Sequence, residues 1–380
     1  MVIGGPAVAI SETIRQLNGE FKFYLVTGDP LPDEMDASVL LEKIPALEVI
    51  RLQGMKRSPG LLRDIRVYFR LKKIFRQIQP DVVHTHGAKP GLLGRLAARS
   101  MNVPVILHTY HGHIFHSYFN KLISAAIVKV ERWLAKRSTA IISISEHLGN
   151  ELAVKYRIAP PQKIHTIPLL LDLNIFADAG GEKRKAFRTT YRLAEDEVAV
   201  GIIGRLTPIK NMGMFAKVVN ILVKRGAAKF RFFIIGDGSG KTMLQEEFSR
   251  EGIGYTEYTQ NPVSAAVTFT SWLRNTDEVM NGLDIVCLTS LNEGTPVSLI
   301  EAQAASTPVV STNVGSIPGM ITGGGFLTGV HETEAFAGYV EKLALNSGLR
   351  RQMGLAGLEQ ISRQYNPVRA KELTRRAYLG

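Results

Sequence analysis

The sequence predicts an α/β protein of two doubly wound, parallel-sheet domains. Three observations predict it. Short β-branched runs alternate with helical patterns along the chain, this alternation occurs twice, and a polar, Gly-containing stretch at 172–196 separates the two series. At roughly 100–200 residues per domain, the 380 residues also suit two domains. With 45% apolar and 21% charged residues, the chain can bury a full core, which excludes global disorder.

In the first series, strands are expected near 21–27, 47–51, 81–86, 104–109, 139–143 and 163–167, with helices near 6–18, 60–78, 90–100, 118–137 and 145–156. In the second, strands fall near 197–203, 230–235, 267–270, 284–289, 308–311 and 325–328, with helices near 211–225, 240–251, 297–306, 333–346 and 348–364. The stretch 252–266 reads as a loop of its own. Strand–helix alternation implies parallel sheets covered on both faces. Ligands of such folds bind at the carboxyl ends of strands, so chemistry should cluster just after each strand.

Several classes are excluded. No apolar run approaches the ~20 residues of a membrane span, and the N-terminus lacks a basic stretch followed by an apolar one. The single cysteine, Cys287, rules out a disulfide framework and a zinc ribbon, and its setting in 284–288 reads as a buried strand. The expected location is cytoplasmic, with peripheral attachment to the inner face of the cell membrane as an extension.

The net charge is +12, unevenly spread: residues 51–99 hold twelve Lys and Arg against Asp64 and Asp81. In 60–78, Leu61, Leu62, Ile65, Phe69, Lys72 and Phe75 fall near helical spacing, with basic residues over the remainder. Two readings stay open for 56–76: a solvated helix covering a sheet, or a contact with an anionic membrane surface. Nucleic acid is not expected as a partner, since no binding motif is present and aromatics do not interleave as a stacking platform.

The chemistry-bearing stretches follow strands. In 200–211 a strand ends at Gly204, and Arg205 and Lys210 lie in the loop before a helix. A planar fork and a mobile point charge at that place suit a diphosphate, although two solvated loop cations would have the same sequence. In 288–305 a strand ends near Thr289. Gly294 allows close backbone approach, Thr295 can cap, and Pro296 suits the first helical position, so the amides of Val297 and Ser298 would face an anion. Glu293 precedes that helix and Glu301 lies within it among Leu299, Ile300 and Ala302; a carboxylate there can accept ribose hydroxyls, and a lone buried carboxylate needs such partners.

Residues 233–242 include Gly236-Asp237-Gly238 and superficially suggest a Walker loop. That motif needs a Gly six residues before its Lys, and Lys241 has Ile235 there, so a turn beside a nucleotide base fits better. Gly4-Gly5-Pro6 opens a helix and could set amides near a phosphate. Six of the nine histidines are His84, His86, His108, His111, His113 and His116; no carboxylate or cysteine lies among them, so no metal site is expected. His111-Gly112 follows a strand, where a His can hydrogen-bond a sugar hydroxyl or a backbone oxygen and serve near neutral pH.

With these residues in view, the chain resembles glycosyltransferase family 4, the retaining sugar-nucleotide transferases of the GT-B fold. The matching residues are Ile3-Gly4-Gly5-Pro6-Ala7, Asp81 to His86, His111-Gly112, Gly204-Arg205-Leu206 with Lys210-Asn211, Gly236-Asp237-Gly238, Phe269 to Trp272, and Glu293 with Glu301, in order over nearly the whole chain. The resemblance implies two Rossmann-like domains facing each other across a cleft: an acceptor-side domain at 1–175, a nucleotide-sugar domain at 176–364, and a C-terminal helix at 365–380 crossing back to the first.

It implies catalytic roles for His111, Glu293, Arg205 and Lys210. The donor would be held by Gly4, Gly5, Gly204, Arg205, Lys210, Gly236, Asp237, Gly238, Glu293, Gly294, Thr295, Pro296, Val297 and Glu301, with Arg205 and Lys210 on the diphosphate and Glu301 on the ribose. The donor would be a nucleotide-diphosphate sugar, with UDP-sugar the commonest in the family. The transferred group would be a hexosyl or N-acetylhexosaminyl unit. The acceptor would be a polysaccharide, a lipopolysaccharide or a lipid-linked glycan. Neither a metal nor another cofactor is implied. A sugar-nucleotide epimerase on the same fold and a non-catalytic or truncated sugar-nucleotide binder are the alternatives; product analysis separates the epimerase, and the missing first strand is the feature that bears on the non-catalytic reading.

Two departures from the family pattern stand out. Only Met1-Val2-Ile3 precede Gly4, where the family begins with a strand, so a first strand encoded upstream is the expectation. Ser306 stands where the family usually has Gly, a hydroxyl expected to cost little.

Overall fold

A computed structural model of the chain describes residues 5–28, 40–41, 44–56, 58, 60–112, 115, 120–258 and 265–380. Gly4, His113 and His116, named above as candidate residues, lie outside the described residues. The chain divides into two compact units, Met1–Leu171 with Tyr365–Gly380, and Asp172–Gln364.

The first unit runs α1 (Gly5–Leu17), β1 (Tyr24–Thr27), β2 (Glu48–Arg51), α2 (Leu61–Ile78), β3 (Val82–His86), α3 (Ala88–Ser100), β4 (Val105–Tyr110), α4 (Lys121–Arg137), β5 (Ala140–Ser143), α5 (Glu146–Asn150) and β6 (Ile164–Thr166). All pairing is parallel. Strands β3-β4-β5-β6 form one sheet in chain order, and β1 and β2 form another; among the described residues β1 pairs only with β2, and β3 only with β4. Parallel order needs the crossover helices between strands, which the strand–helix alternation supplies.

Helix α2 corrects the reading of its own face. It buries Val67, Leu71 and Phe75, whereas Leu61, Leu62, Ile65 and Phe69 are 79%, 72%, 45% and 61% exposed. The stripe most visible in the sequence therefore points to solvent. The core side uses the offset row 67–71–75, which packs with Leu52, Val83 and Ile106.

The second unit runs α6 (Glu182–Thr190), β7 (Glu197–Ile203), α7 (Met212–Arg225), β8 (Lys229–Ile235), α8 (Lys241–Arg250), β9 (Tyr255–Glu257), β10 (Val267–Ser271), α9 (Thr276–Gly282), β11 (Ile285–Leu288), α10 (Val297–Ala304), β12 (Val309–Thr312), α11 (Ile317–Met320), β13 (Gly325–Thr328), α12 (Thr333–Leu345) and α13 (Ser347–Gln364). Its parallel sheet has the order β13-β12-β11-β7-β8-β10-β9. The winding reverses at β7, whose neighbours are β8 and β11, so the crevice past the ends of β7 and β11 is the topological switch point. Cys287 is buried in β11, where burial pushes its thiol pKa up.

The polar stretch at 172–196 is not a plain connection, since it contains α6. One Phe among many charges gives this helix no apolar stripe to read in the sequence. Tertiary contacts hold it: Arg184 and Arg188 reach the buried Asp284 carboxylate at 2.8 and 3.3 Å, and that carboxylate also accepts the Ala199 amide at 2.8 Å. Strand β9 likewise lies within the stretch read as a loop, paired with β10.

Helix α14 (Pro367–Leu379) closes the chain within the first unit. Asn366 caps it, accepting the Arg369 amide at 3.0 Å. Its Tyr378 ring lies edge-on to Phe21, with centroids 5.3 Å apart. Lys371 and Arg375 bridge Glu20 at 2.8 and 3.1 Å.

Candidate active site

In the second unit the loops after β7 and β11 are tied together at the switch point. The Leu291 amide donates to the Ile209 carbonyl at 2.8 Å, and the Thr289 hydroxyl donates to the Lys210 carbonyl at 2.9 Å. This backbone zip brings Lys210 Nζ to 2.5 Å from Glu293 Oε1. The Ser290 hydroxyl donates to the same oxygen at 2.6 Å. A half-buried cation and carboxylate thus share one spot at the carboxyl ends of two adjacent strands. Arg205, in the same loop as Lys210, is exposed.

Two glycines make this close approach possible. Gly315 has φ 56°, and a Cβ there would lie 1.8 Å from the Glu293 carbonyl oxygen. Gly236 has φ 132°, and its Cβ would lie 2.1 Å from the Gly204 carbonyl oxygen. Only a residue without a side chain lets these backbones touch. Asp237 then orders the turn after β8: its carboxylate accepts the Gly238 amide at 2.7 Å and the Ser271 hydroxyl at 3.2 Å, and its carbonyl accepts the Leu206 amide at 3.0 Å.

Helix α10 starts at Val297, as its sequence suggests, but the role of Pro296 differs. Pro296 is the N-cap residue rather than the first helical one, and no side chain caps the helix. Thr295 does not cap; its hydroxyl lies 3.5 Å from that of Ser316. The first amides of α10, at Val297 and Ser298, have no acceptor within the helix and are suited to an anion. Gly294, half-buried, leads into this end. Glu301 lies within the helix, and burial alone pushes its carboxyl up to about 8. A neutral acid at that place is poised to become a carboxylate once hydroxyl donors arrive.

In the first unit, Gly5 opens α1. His111 directly follows β4 and is half-buried. Burial lowers its pKa to about 4, so it does not titrate near neutral pH, contrary to the sequence reading; at pH 7 it is a neutral hydrogen-bonding group. The histidines divide between the two faces of the sheet, as the two-residue period requires. His84 and His86 share one face with Thr109, while His108 lies on the other, 2.9 Å from the Thr85 hydroxyl. Among the described residues no group of three or more His, Cys, Asp or Glu is arranged to hold a metal ion.

Sequence reasoning missed Ser290, Gly315 and Tyr378. Ser290 lies three residues before Glu293, a spacing that could have marked it. The other two come from distant segments and carry no local signal.

Two units, each built on a parallel sheet in the Rossmann manner, define the GT-B class of α/β protein, here with a cation–carboxylate pair over the second unit's switch point. Residues 3–175 match Glycosyltransferase Family 4, and residues 197–346 match Glycosyl transferases group 1. The chain belongs to glycosyltransferase family 4 and is a glycosyltransferase.

It is 28% identical over 344 residues to the UDP-Gal:alpha-D-GlcNAc-diphosphoundecaprenol alpha-1,3-galactosyltransferase of Escherichia coli, covering 88% of this chain and 83% of that protein. It is 24% identical to the capsular polysaccharide biosynthesis glycosyltransferase CapM of Staphylococcus aureus, over 94% of this chain and 92% of the other. Among solved structures, Anabaena Alr3699/HepE in complex with UDP and glucose shares the fold at a TM-score of 0.80 and 16% identity, covering 98% of this chain and 95% of that one.

Proposed function

We propose that the protein is a retaining, metal-independent glycosyltransferase that moves a hexosyl or N-acetylhexosaminyl unit from a UDP-sugar to a lipid-linked glycan. The observation that carries this reading is the Lys210–Glu293 pair at the switch point, beside a helix whose first amides are uncapped. The leaving group is a nucleoside diphosphate, and its departure builds negative charge. Lys210, Arg205 and the start of α10 at Val297 stabilise that charge. Lys210 has three N–H donors, so it can hold Glu293 and a phosphate oxygen together. Glu293 keeps acceptor capacity for donor-sugar hydroxyls, and Glu301 accepts the ribose hydroxyls. Gly204, Gly236, Asp237 and Gly238 shape the turns beside the base. In the first unit, His111 is a neutral hydrogen-bond partner for a sugar hydroxyl, and Gly5 offers a helix-opening amide. Retention requires the acceptor to attack from the face that the leaving group departs.

The UDP preference is supported by relatives whose names or bound ligands include UDP or UDP-galactose. The lipid-linked acceptor is supported by the diphosphoundecaprenol substrate in one relative's name and by the outer face of the first unit. There α2 exposes Leu61, Leu62, Ile65 and Phe69, and α4 exposes Leu122, Ile123, Val130 and Trp133. Arg66, Arg70, Lys73, Arg76, Lys121, Lys129, Lys136 and Arg137 are also exposed on these helices. The only acids of the two helices are tied up: Asp64 by Lys89 at 2.9 Å, and Glu131 by buried Arg95 at 2.6 Å. Apolar side chains among unopposed cations suit an anionic bilayer surface. No described helix is long and apolar enough to cross a membrane.

Calorimetry with UDP, GDP and ADP, with and without a chelator, tests the donor site. Chelator-resistant binding of UDP, lost in Glu301→Ala, is expected; no binding of any nucleotide by folded protein overturns it. Product analysis with the matching sugar separates transfer from epimerisation. Pelleting with phosphatidylglycerol vesicles at low salt, weakened in Phe69→Ser, tests the membrane face; no pelleting removes it.

A further inference from the structure

Behind His111 lies a row of polar rings to which the reaction chemistry above gives no role. His86 Nδ1 is 2.9 Å from His111 Nε2. The rings of His86 and His84 pack against each other, tilted, with centroids 4.2 Å apart and planes inclined by 38°. His84 is held at both nitrogens: Nε2 lies 2.7 Å from the Thr109 hydroxyl, and Nδ1 lies 3.0 Å from the Tyr378 hydroxyl. The row begins on the C-terminal helix, at a tyrosine buried beside Phe21 and Leu107, and ends at the residue that follows β4.

We propose that His86 is a positioning residue for His111, with His84 and Tyr378 holding His86 in place. This inference rests on the reading of His111 as the group that meets the sugar. A neutral imidazole has one N–H and one lone pair. Across the 2.9 Å contact one ring donates and the other accepts, so the tautomer of each ring fixes that of its partner. With Nε2 committed to His86, His111 turns Nδ1 toward a substrate, in a single protonation form and a single orientation. The His84 ring packed against it restrains His86, and His84 cannot rotate without losing Thr109 or Tyr378. Burial keeps the pKa of His84 at about 3 and lowers that of His86 as well, so the row stays neutral and the hydrogen-bond pattern persists at physiological pH. Mispositioning a reacting contact by about 1 Å costs roughly 100-fold in rate, so a positioning device of this kind has a measurable effect on turnover.

The test compares His86→Ala, His86→Asn and His111→Ala in the full chain. Asn carries an amide where His carries Nδ1 and can keep the contact with His111. The expected result for His86→Ala is a fall in kcat of about 10- to 100-fold with an unchanged KM for the donor sugar, whereas His86→Asn recovers most of the turnover. Nitrogen-15 spectra of the ring nitrogens are the second readout: one fixed tautomer for His111 in the native protein and in His86→Asn, and an average of two in His86→Ala. Wild-type turnover in His86→Ala, an equal loss in the Asn variant, or an averaged tautomer in the native protein overturns the proposal. If His111→Ala loses activity while His86→Ala keeps it, only the positioning role fails. If His111→Ala keeps wild-type turnover, the reading of His111 fails and the positioning role with it.

Discussion

The two units share one architectural plan and use it differently. The second has a single seven-stranded sheet, and its main apolar cluster is continuous from Val198 to Ala344. Among its described residues the first has two separate sheets, and its apolar side chains include smaller clusters around Leu71, around Leu17 and around Ile14. The charged site groups differ in the same way. In the second unit a cation and a carboxylate meet at a switch point, supported by glycines that let backbones touch. In the first, neutral histidines line one sheet face and the outer helices present cations and apolar side chains. A continuous core can hold charges in fixed geometry, as a leaving diphosphate requires; a layer with an exposed apolar face suits a large or surface-bound acceptor.

The largest expected effect is in the second unit. Lys210→Ala removes a preorganised cation, and turnover should fall about 100- to 1000-fold in a single-turnover assay on the donor sugar. A loss below tenfold would break the contrast between a charge-based unit and a neutral one. Arg205→Ala comes next, at about 10- to 150-fold for a lost charge-assisted contact of roughly 1.5–3 kcal/mol. Unchanged turnover there would remove Arg205 from the diphosphate site.

The units should also respond oppositely to pH. The folded carboxyl of Glu301 titrates near 8 against an ordinary 4.5. The folded second unit therefore binds a proton that the unfolded chain releases, and this contribution to stability is full below 4.5 and lost as pH rises to 8. His111 and His84 titrate near 4 and 3 against an ordinary 6.5. Their contribution is full above 6.5 and lost as pH falls toward 4 and then 3. Scanning calorimetry between pH 5 and 8 should show one transition weakening toward acid and the other toward alkali. In the same window UDP affinity should rise with pH, at most about tenfold per unit, because ribose hydroxyls bind the carboxylate. Glu301→Gln should flatten that dependence, and a slope surviving in the variant would assign it elsewhere.

The smallest effect concerns Ser306. It lies at φ 57°, in the left-handed region, so its cost is backbone strain rather than a buried hydroxyl. Ser306→Gly should raise stability of the second unit by about 1 kcal/mol, read as a shift in the urea midpoint. A lowered midpoint would mean that the serine hydroxyl contributes more than the strain costs.

Much of this was legible in the sequence because it is local. A strand ending at Gly204, a Gly-Thr-Pro entry to α10, and apolar runs of strand length report themselves through periodicity and turn chemistry. These were enough for two parallel-sheet units, for the family, and for the loops that carry Arg205, Lys210, Glu293 and Glu301. What tertiary structure alone decided is which side of each element faces inward and which distant groups meet. Helix α2 has two candidate apolar rows, and only packing against Leu52, Val83 and Ile106 selects 67–71–75, leaving the more obvious row in solvent. Helix α6 has no stripe of its own and is held through Asp284, about a hundred residues away. The neutrality of His111 follows from burial, which no single position encodes. The meeting of Tyr378 with His84 spans 294 residues. Local propensity acts over a few residues, whereas desolvation and hydrogen-bond pairing depend on what the fold brings alongside.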